Sequence, residues 1–242
     1  MIDLNTFFNV FPGVASRTLL WGAPGVGKSF VAYQLTAEMN PWVIDMEMRW
    51  LDYLNAWGAD AVVINPLPVD ADYFIDETAV FMALANAVLG ATHAKVMGEL
   101  VAGDASVPPG AIIVDGISEV RHFAQVTVED ERGKQVGNNP QAWAKINRMQ
   151  MRFVNQLCAW AMAKRAPVVF TCLEREVYDS EGNVTGEIVP IVKQEVVALM
   201  TTQAHLKREG ARFWANRQKS AIGPAPWTEI TKGDDMECNG ET

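Results

Sequence analysis

Eight consecutive residues near the amino end of the chain have the types and spacing needed to hold a chain of phosphates. Residues 22–29 fit the pattern G-x-x-x-x-G-K-S of the P-loop. Glycines let the backbone turn so that several N–H groups point into one concavity, and the positive end of the next helix adds to their attraction for phosphate. Lys28 would reach the β- and γ-phosphates of ATP, and the Ser29 hydroxyl would bind Mg²⁺. The predicted nucleotide site consists of Gly22, Ala23, Pro24, Gly25, Val26, Gly27, Lys28 and Ser29.

Such a site also needs an acidic anchor for magnesium at the end of a nearby strand. Residues 111–114 are an apolar run typical of a buried strand, and Asp115 follows it directly. An aspartate at this point suits a Walker B acid, which holds Mg²⁺ directly or through water. The alternative is an aspartate that caps the next helix.

Hydrolysis requires a base for the attacking water, and two glutamates are candidates. Glu47 ends a second apolar run, whereas Glu119 lies four positions after Asp115. If the second strand lay between the P-loop strand and its neighbour, Glu47 would face the γ-phosphate. The sequence does not fix the strand order, so spacing alone leaves both glutamates open.

The elements that must position these groups alternate between strands and helices. Strands are predicted at residues 17–21, 41–47, 61–64, 111–115 and 167–172, with further edge strands at 188–193, 203–208 and 211–217. Helices are predicted at residues 30–39, 51–57, 76–102 and 141–165, a loop at 124–140, and a loop or hairpin at 178–186. This alternation predicts an α/β fold with a mainly parallel central sheet, helices on both faces and an antiparallel edge.

Composition suits one large domain and narrows the function class. The 242 residues are 49% hydrophobic, which is enough for a sizeable core, and no apolar stretch suits a membrane span. The formal net charge of −9 argues against a broad nonspecific nucleic-acid coat, although not against a local basic groove. Three cysteines without metal-ligand spacing, and a start without the basic residues of a secretory signal, favour the cytoplasm. An acidic segment at residues 228–242 predicts a disordered tail after a core at residues 1–227.

Three segments, taken in order, resemble the RecA-type recombinase core. They are residues 21–29, 43–47 and 112–118, and the likeness extends over roughly residues 17–224. It is closest to the small phage-borne RecA-like ATPases tied to single-strand annealing. The resemblance implies a RecA-like P-loop NTPase fold and an ATPase, in the host cytoplasm, that acts on single-stranded DNA in recombination or replication. In that family a strand of the form I-D-x-E supplies the glutamate that polarises the attacking water, which favours Glu47.

The resemblance further implies that subunits associate through the ATP site. Arg217 and Lys219 match by position the family's basic pair near the end of the core. Such residues reach the γ-phosphate of the neighbouring subunit, so activity would depend on assembly. The family's glutamine sensor is missing after the strand at residues 168–171, and Thr171 or Glu174 would have to replace it.

By the same resemblance, DNA would bind loops at residues 124–140 and 174–187. Neither loop is clearly basic, whereas Lys145, Arg148 and Arg152 step by three and four along a predicted helix and share one stripe. The stripe is either a phosphate contact or a solvated helix face. Three functions remain open: a recombinase-like or annealing ATPase, a helicase-type or loader motor, and a non-hydrolysing module that assembles on nucleotide.

Overall fold

The computed structural model describes residues 3–64, 101–102 and 109–230. Its strands are β1 (Arg17–Gly22), β2 (Pro41–Asp45), β3 (Val62–Ile64), β4 (Val101–Ala102), β5 (Ala111–Asp115), β6 (Val168–Tyr178), β7 (Val184–Pro190), β8 (Thr202–Glu209), β9 (Arg212–Lys219) and β10 (Ala225–Glu229). Its helices are α1 (Leu4–Phe8), α2 (Lys28–Thr36), α3 (Trp50–Trp57), α4 (Ile117–Arg132), α5 (Pro140–Lys164) and α6 (Gln194–Leu199), and a 3₁₀ turn at Ala37–Met39 follows α2.

The strands form one sheet in the order β10-β9-β8-β1-β6-β5-β2-β3-β4, with β7 paired to the outer part of β6. The strands from β8 to β3 in this order are parallel to one another. Strands β9 and β10 at one edge and β4 at the other pair antiparallel. The predicted fold class is therefore confirmed. Because the carboxyl ends of parallel strands meet at one edge of a sheet, this order brings the ends of β1, β6, β5 and β2 side by side.

Helices cover the sheet on both faces, and each face has its own hydrophobic core. Leu20, Val43 and Ile113 pack with α1, α2 and α3 on one face. Leu19 and Ile44 pack with α4, α5 and α6 on the other. Successive side chains of a strand point to opposite faces, so strands with continuous apolar residues need cover on both sides. Helices α2 and α3 belong to the same core and lie on the same face of the sheet. They follow the carboxyl ends of β1 and β2, where the candidate site lies.

The predicted loop at residues 124–140 is wrong over its first half, because α4 continues to Arg132. Ala124 and Val128 lie four residues apart, and both are buried in a small core with Ile146 of α5. The polar composition of this segment, with Gly133, Gly137 and residues 138–140, suggested a loop in the sequence. The apolar pair in front of them nevertheless packs this part of the helix against α5.

Two other predictions beyond β5 are confirmed. The long amphipathic helix is α5, which the side chain of Asn139 caps by accepting the N–H groups of Gln141 and Ala142. The hairpin alternative is correct for the segment after the fifth strand, since β6 runs on to Tyr178 and pairs antiparallel with β7.

Two predicted segments fall largely outside the described residues. Of the predicted helix at residues 76–102, only the last two residues are described, and they form β4. The predicted tail boundary at residue 228 falls inside β10, and residues 231–242 lie outside the described part.

Candidate active site

The loop between β1 and α2 has the backbone geometry of a phosphate cradle. Gly27 has a φ of +85° immediately before α2, and no side chain caps the first turn of this helix. A Cβ on Gly27 would come within 2.8 Å of the Phe213 ring, and one on Gly22 within 2.4 Å of the Leu206 carbonyl oxygen. Glycine at these two positions therefore lets the loop lie close against β8 and β9. Because no side chain caps the first turn of α2, the positive end of this helix can face an anion.

Lys28 lies at the base of this loop, and its side chain is buried. Its ammonium group donates hydrogen bonds to the carbonyl oxygens of Gly22, at 3.0 Å, and Ala23, at 2.7 Å. Burial lowers the pKa of Lys28, and the carboxylates of Glu47 and Asp115 oppose this shift. Two carbonyl groups of the loop thus hold the Lys28 ammonium group in place.

Asp115, the predicted Walker B acid, lies directly opposite the P-loop serine. The Ser29 hydroxyl is 2.9 Å from Oδ2 and 3.1 Å from Oδ1 of this buried carboxylate. Thr171 of β6 donates its hydroxyl to Oδ1 and accepts the N–H of Gly116 at 2.8 Å. A carboxylate facing a hydroxyl gives the hard oxygen ligands that Mg²⁺ prefers. Ser29 and Asp115 therefore fit the group that the motif implies.

Glu47 reaches the same pocket by a route that the sequence analysis did not anticipate. Strands β6 and β5 separate β2 from β1. Strand β2 therefore does not lie beside the P-loop strand, which was the arrangement expected to turn Glu47 toward the γ-phosphate. Glu47 lies two residues beyond β2 and packs on Gly116. A Cβ added to Gly116 would lie 3.2 Å from the Cγ of Glu47. Loss of solvent around the carboxyl group raises the pKa of Glu47, and the charge of Asp115 raises it further. Glu119 also lines the pocket, so both candidate bases are near the P-loop.

The segment that carries Glu47 is fixed by the aspartate before it. The buried carboxylate of Asp45 accepts the main-chain N–H of Glu47 at 3.1 Å and that of Trp50 at 2.9 Å. Burial raises the pKa of Asp45. The I-D-x-E pattern thus has a local structural reason, because its aspartate holds the turn from which its glutamate projects.

Aromatic side chains form one wall of the pocket, which has a volume of about 720 Å³. Phe30 of α2 meets Trp57 edge-on at 5.3 Å, and Tyr53 stacks on Trp57 at 5.2 Å between ring centroids. This aromatic wall was not predicted from the sequence. Arg49, Tyr53 and Trp57 follow one another at intervals of four residues, and that helical spacing was the signal available.

Arg217 and Lys219, expected to act across a subunit interface, do not line this pocket in the described part of the chain. The buried guanidinium of Arg217 donates to the carbonyl oxygens of Phe7, at 2.6 Å, and Gly223, at 2.8 Å. Lys219 is exposed and donates to the Ala198 carbonyl at 3.0 Å. Arg217 therefore ties β9 to α1 within its own chain, and contact with a neighbouring phosphate would require these bonds to break.

Of the two possible sensor residues, Thr171 contacts the candidate metal ligand Asp115, as described above. Glu174 instead lies 2.8 Å from the ring of His205 on β8. That histidine stacks on Trp21 of β1 at 3.8 Å between ring centroids.

A family model described as AAA domain matches residues 15–207, which is most of the chain. This chain belongs to the AAA domain family. The match agrees with the P-loop geometry and establishes an AAA-type P-loop ATPase, which binds nucleotide and usually uses Mg²⁺. No curated protein matches the chain. Among the described residues of this AAA domain, no helix is long and apolar enough to cross a bilayer.

Proposed function

We propose that this AAA domain hydrolyses ATP and uses the hydrolytic cycle to act on single-stranded DNA in recombination, annealing or replication. The proposal of hydrolysis rests on one observation: a single pocket is lined by Lys28, Ser29, Asp115 and Glu47. Three separate segments of the chain supply these groups. Each has the chemistry that in-line attack on a terminal phosphate requires.

In the proposed mechanism the main chain of the P-loop and Lys28 hold the β- and γ-phosphates. Ser29 and Asp115 would hold Mg²⁺, which neutralises phosphate charge when it is bound. Glu47 accepts a proton from the attacking water. Its raised pKa makes its carboxylate a stronger base than that of an ordinary glutamate. Glu119 is the alternative base from the same pocket.

The pocket also supports a position for the nucleobase and for a cation within the same subunit. Phe30, Tyr53 and Trp57 give the pocket an aromatic wall beside the P-loop, which suits contact with a flat aromatic ring. Arg49 is exposed, lines the pocket and hydrogen-bonds to Tyr53, and this bond and the Glu47 carboxylate raise the pKa of Arg49. Arg49 can therefore supply positive charge near the γ-phosphate without a neighbouring subunit. Lys219 remains the exposed candidate for contact between subunits.

Strand β6 supports the coupling of hydrolysis to DNA. Its inner part carries Thr171 against Asp115, and its outer part continues into the exposed hairpin with β7, where Tyr178 is 60% exposed. On α5, Lys145 is paired with Glu131. Arg148 and Arg152 have no ion-pair partner within the described ranges, and they line a shallow surface pocket with Asn155 and Gln156. These two arginines are the proposed phosphate contacts for DNA.

The test is the ATPase rate per subunit across a range of protein concentrations, with and without a single-stranded oligonucleotide. We expect turnover that the oligonucleotide stimulates and that Lys28→Ala reduces about 100-fold or more. Lys164→Ala, an exposed lysine outside the pocket, is the matched control. A wild-type protein that binds ATP without turnover would favour the assembly module. Unwinding or partner-dependent loading would favour the motor.

The DNA part has its own test. Replacing Arg148 and Arg152 together by glutamine should weaken oligonucleotide binding and flatten its dependence on salt concentration, because fewer phosphates are neutralised. Basal ATPase should not change. An unaltered affinity and salt slope would remove α5 from the DNA interface.

A further inference from the structure

A buried tryptophan of α3 contacts the candidate metal ligand Asp115. Trp50 is the first residue of α3, and its side chain is fully buried. Its indole N–H donates to Oδ2 of Asp115 at 2.7 Å, across 65 positions of sequence. A hydrogen bond to an ionised carboxylate is stronger than one between neutral groups. This contact therefore constrains the orientation of the Asp115 side chain.

The partners of Asp115 divide between its two oxygen atoms. Thr171 donates to Oδ1 and Trp50 to Oδ2, whereas Ser29 approaches both. Each carboxylate oxygen has two lone pairs. With one lone pair of each oxygen fixed by Thr171 or Trp50, the other can face Ser29, where the motif implies Mg²⁺. The carboxylate is thus oriented by groups that do not themselves belong to the metal site.

Trp50 is also joined to the segment that carries the candidate base. Its main-chain N–H donates to Oδ2 of Asp45, while the other oxygen of Asp45 accepts the N–H of Glu47. One residue therefore connects β5, which ends in Asp115, with the turn after β2. The order of the sheet makes this possible, because β2 and β5 are neighbours and their last residues, Asp45 and Asp115, are in register.

We propose that Trp50 is a positioning residue that orients Asp115 and thereby sets the magnesium-dependent part of nucleotide affinity. The inference rests on the proposed nucleotide site. Outer contacts that orient a metal ligand are typically worth about 10- to 100-fold in metal affinity or activity. The indole N–H of Trp50 makes a contact of this kind through its hydrogen bond to Asp115.

The experiment compares Trp50→Phe with Trp42→Phe. Both tryptophans are buried, at 0% and 3% exposure, but the Trp42 indole N–H has no hydrogen-bond partner in the described portion of the protein. Affinity for the non-hydrolysable analogue AMP-PNP is measured by calorimetry, once with Mg²⁺ and once with a chelator. We expect Trp50→Phe to reduce the gain from Mg²⁺ about tenfold or more. Affinity in the chelator should stay the same, and Trp42→Phe should keep the full gain.

The outcomes separate this inference from the proposed function. An equal Mg²⁺ gain in the two variants would overturn the role of Trp50 while leaving the nucleotide site intact. No binding of AMP-PNP by the wild type would overturn both. If Trp50→Phe does not fold, ¹⁵N-indole NMR of the wild type decides. We expect one indole N–H signal to be strongly downfield, slow to exchange and shifted when Mg²⁺ is added with AMP-PNP. A spectrum without such a signal would contradict the proposal.

Discussion

The two walls of the pocket are built in different ways. The P-loop wall is formed by consecutive residues, and its main groups are backbone N–H groups together with Lys28. The opposite wall, formed by the turn after β2 and by α3, consists of side chains held by remote partners. Asp45 holds the turn, and Trp50 attaches it to Asp115. The first wall is a property of a short motif, whereas the second depends on the neighbours of β2 in the sheet.

This difference predicts different responses to mutation. A change in the P-loop removes a phosphate contact directly. A change in the second wall acts through the position of Glu47, Arg49 or Asp115. Apart from changes in Tyr53 and Trp57, which are proposed to contact the nucleobase, it should therefore alter turnover or magnesium dependence more than nucleotide binding without Mg²⁺.

The largest loss of activity from a change in the second wall is expected for Glu47→Gln. The glutamine keeps the size of the side chain but cannot accept the proton, so we expect kcat to fall by about 100-fold or more, with nucleotide affinity retained. Single-turnover hydrolysis and calorimetry measure the two quantities. Glu119→Gln is the matched control. If Glu119→Gln loses turnover and Glu47→Gln does not, the base is Glu119.

The next effect concerns stability, far from the second wall. Arg217→Gln leaves the Phe7 carbonyl without its guanidinium donor, and we expect the free energy of unfolding to fall by about 1–3 kcal/mol. Chemical denaturation measures this change. Lys219→Gln, an exposed neighbour on the same strand, should have little effect on stability. An unchanged stability of Arg217→Gln, together with a lost dependence of activity on protein concentration, would restore the intersubunit role.

A smaller effect is expected for Arg49→Gln, which removes a cation from the second wall. We expect kcat to fall about tenfold, because charge on the transferred phosphate is less well neutralised. The loss should be the same at all protein concentrations, since the residue acts within its own subunit. Arg212→Gln, an exposed arginine outside the pocket, provides the control. A loss that disappears when wild-type subunits are added would instead place Arg49 at a neighbour's site.

The smallest effect is a pH dependence of stability. The folded protein raises the pKa of Glu47 above its ordinary value, so the proton is bound more tightly in the folded state. The resulting stabilisation is complete below the ordinary glutamate pKa and is lost as the pH rises through the raised pKa. Glu47→Gln should therefore melt slightly higher than wild type at neutral pH, with no difference at acidic pH. Melting curves recorded from acid to neutral pH test this sign, and a wild type more stable than the variant at neutral pH would contradict it.

The sequence was sufficient wherever a function depends on adjacent residues. The P-loop, the strand that ends in Asp115 and the alternation of strands and helices could all be predicted from spacing and apolar runs. The extent of α4 was missed because the polar composition and the glycines of residues 124–140 outweighed the buried pair Ala124 and Val128. The contacts of Arg217 were missed because Phe7, one of its two partners, lies 210 positions away in the sequence.

By itself, the sequence determined the phosphate cradle, since glycine conformations and a helix start are local properties of the backbone. The tertiary structure decided which side chains face that cradle. Parallel pairing of β2 with β5 puts Glu47 beside Asp115, although two strands separate β2 from the P-loop strand. Packing of α3 on the same face as α2 adds Trp50, Tyr53 and Trp57. Contacts between strands and between helices depend on the apolar surface buried over the whole core. A short motif does not contain this information.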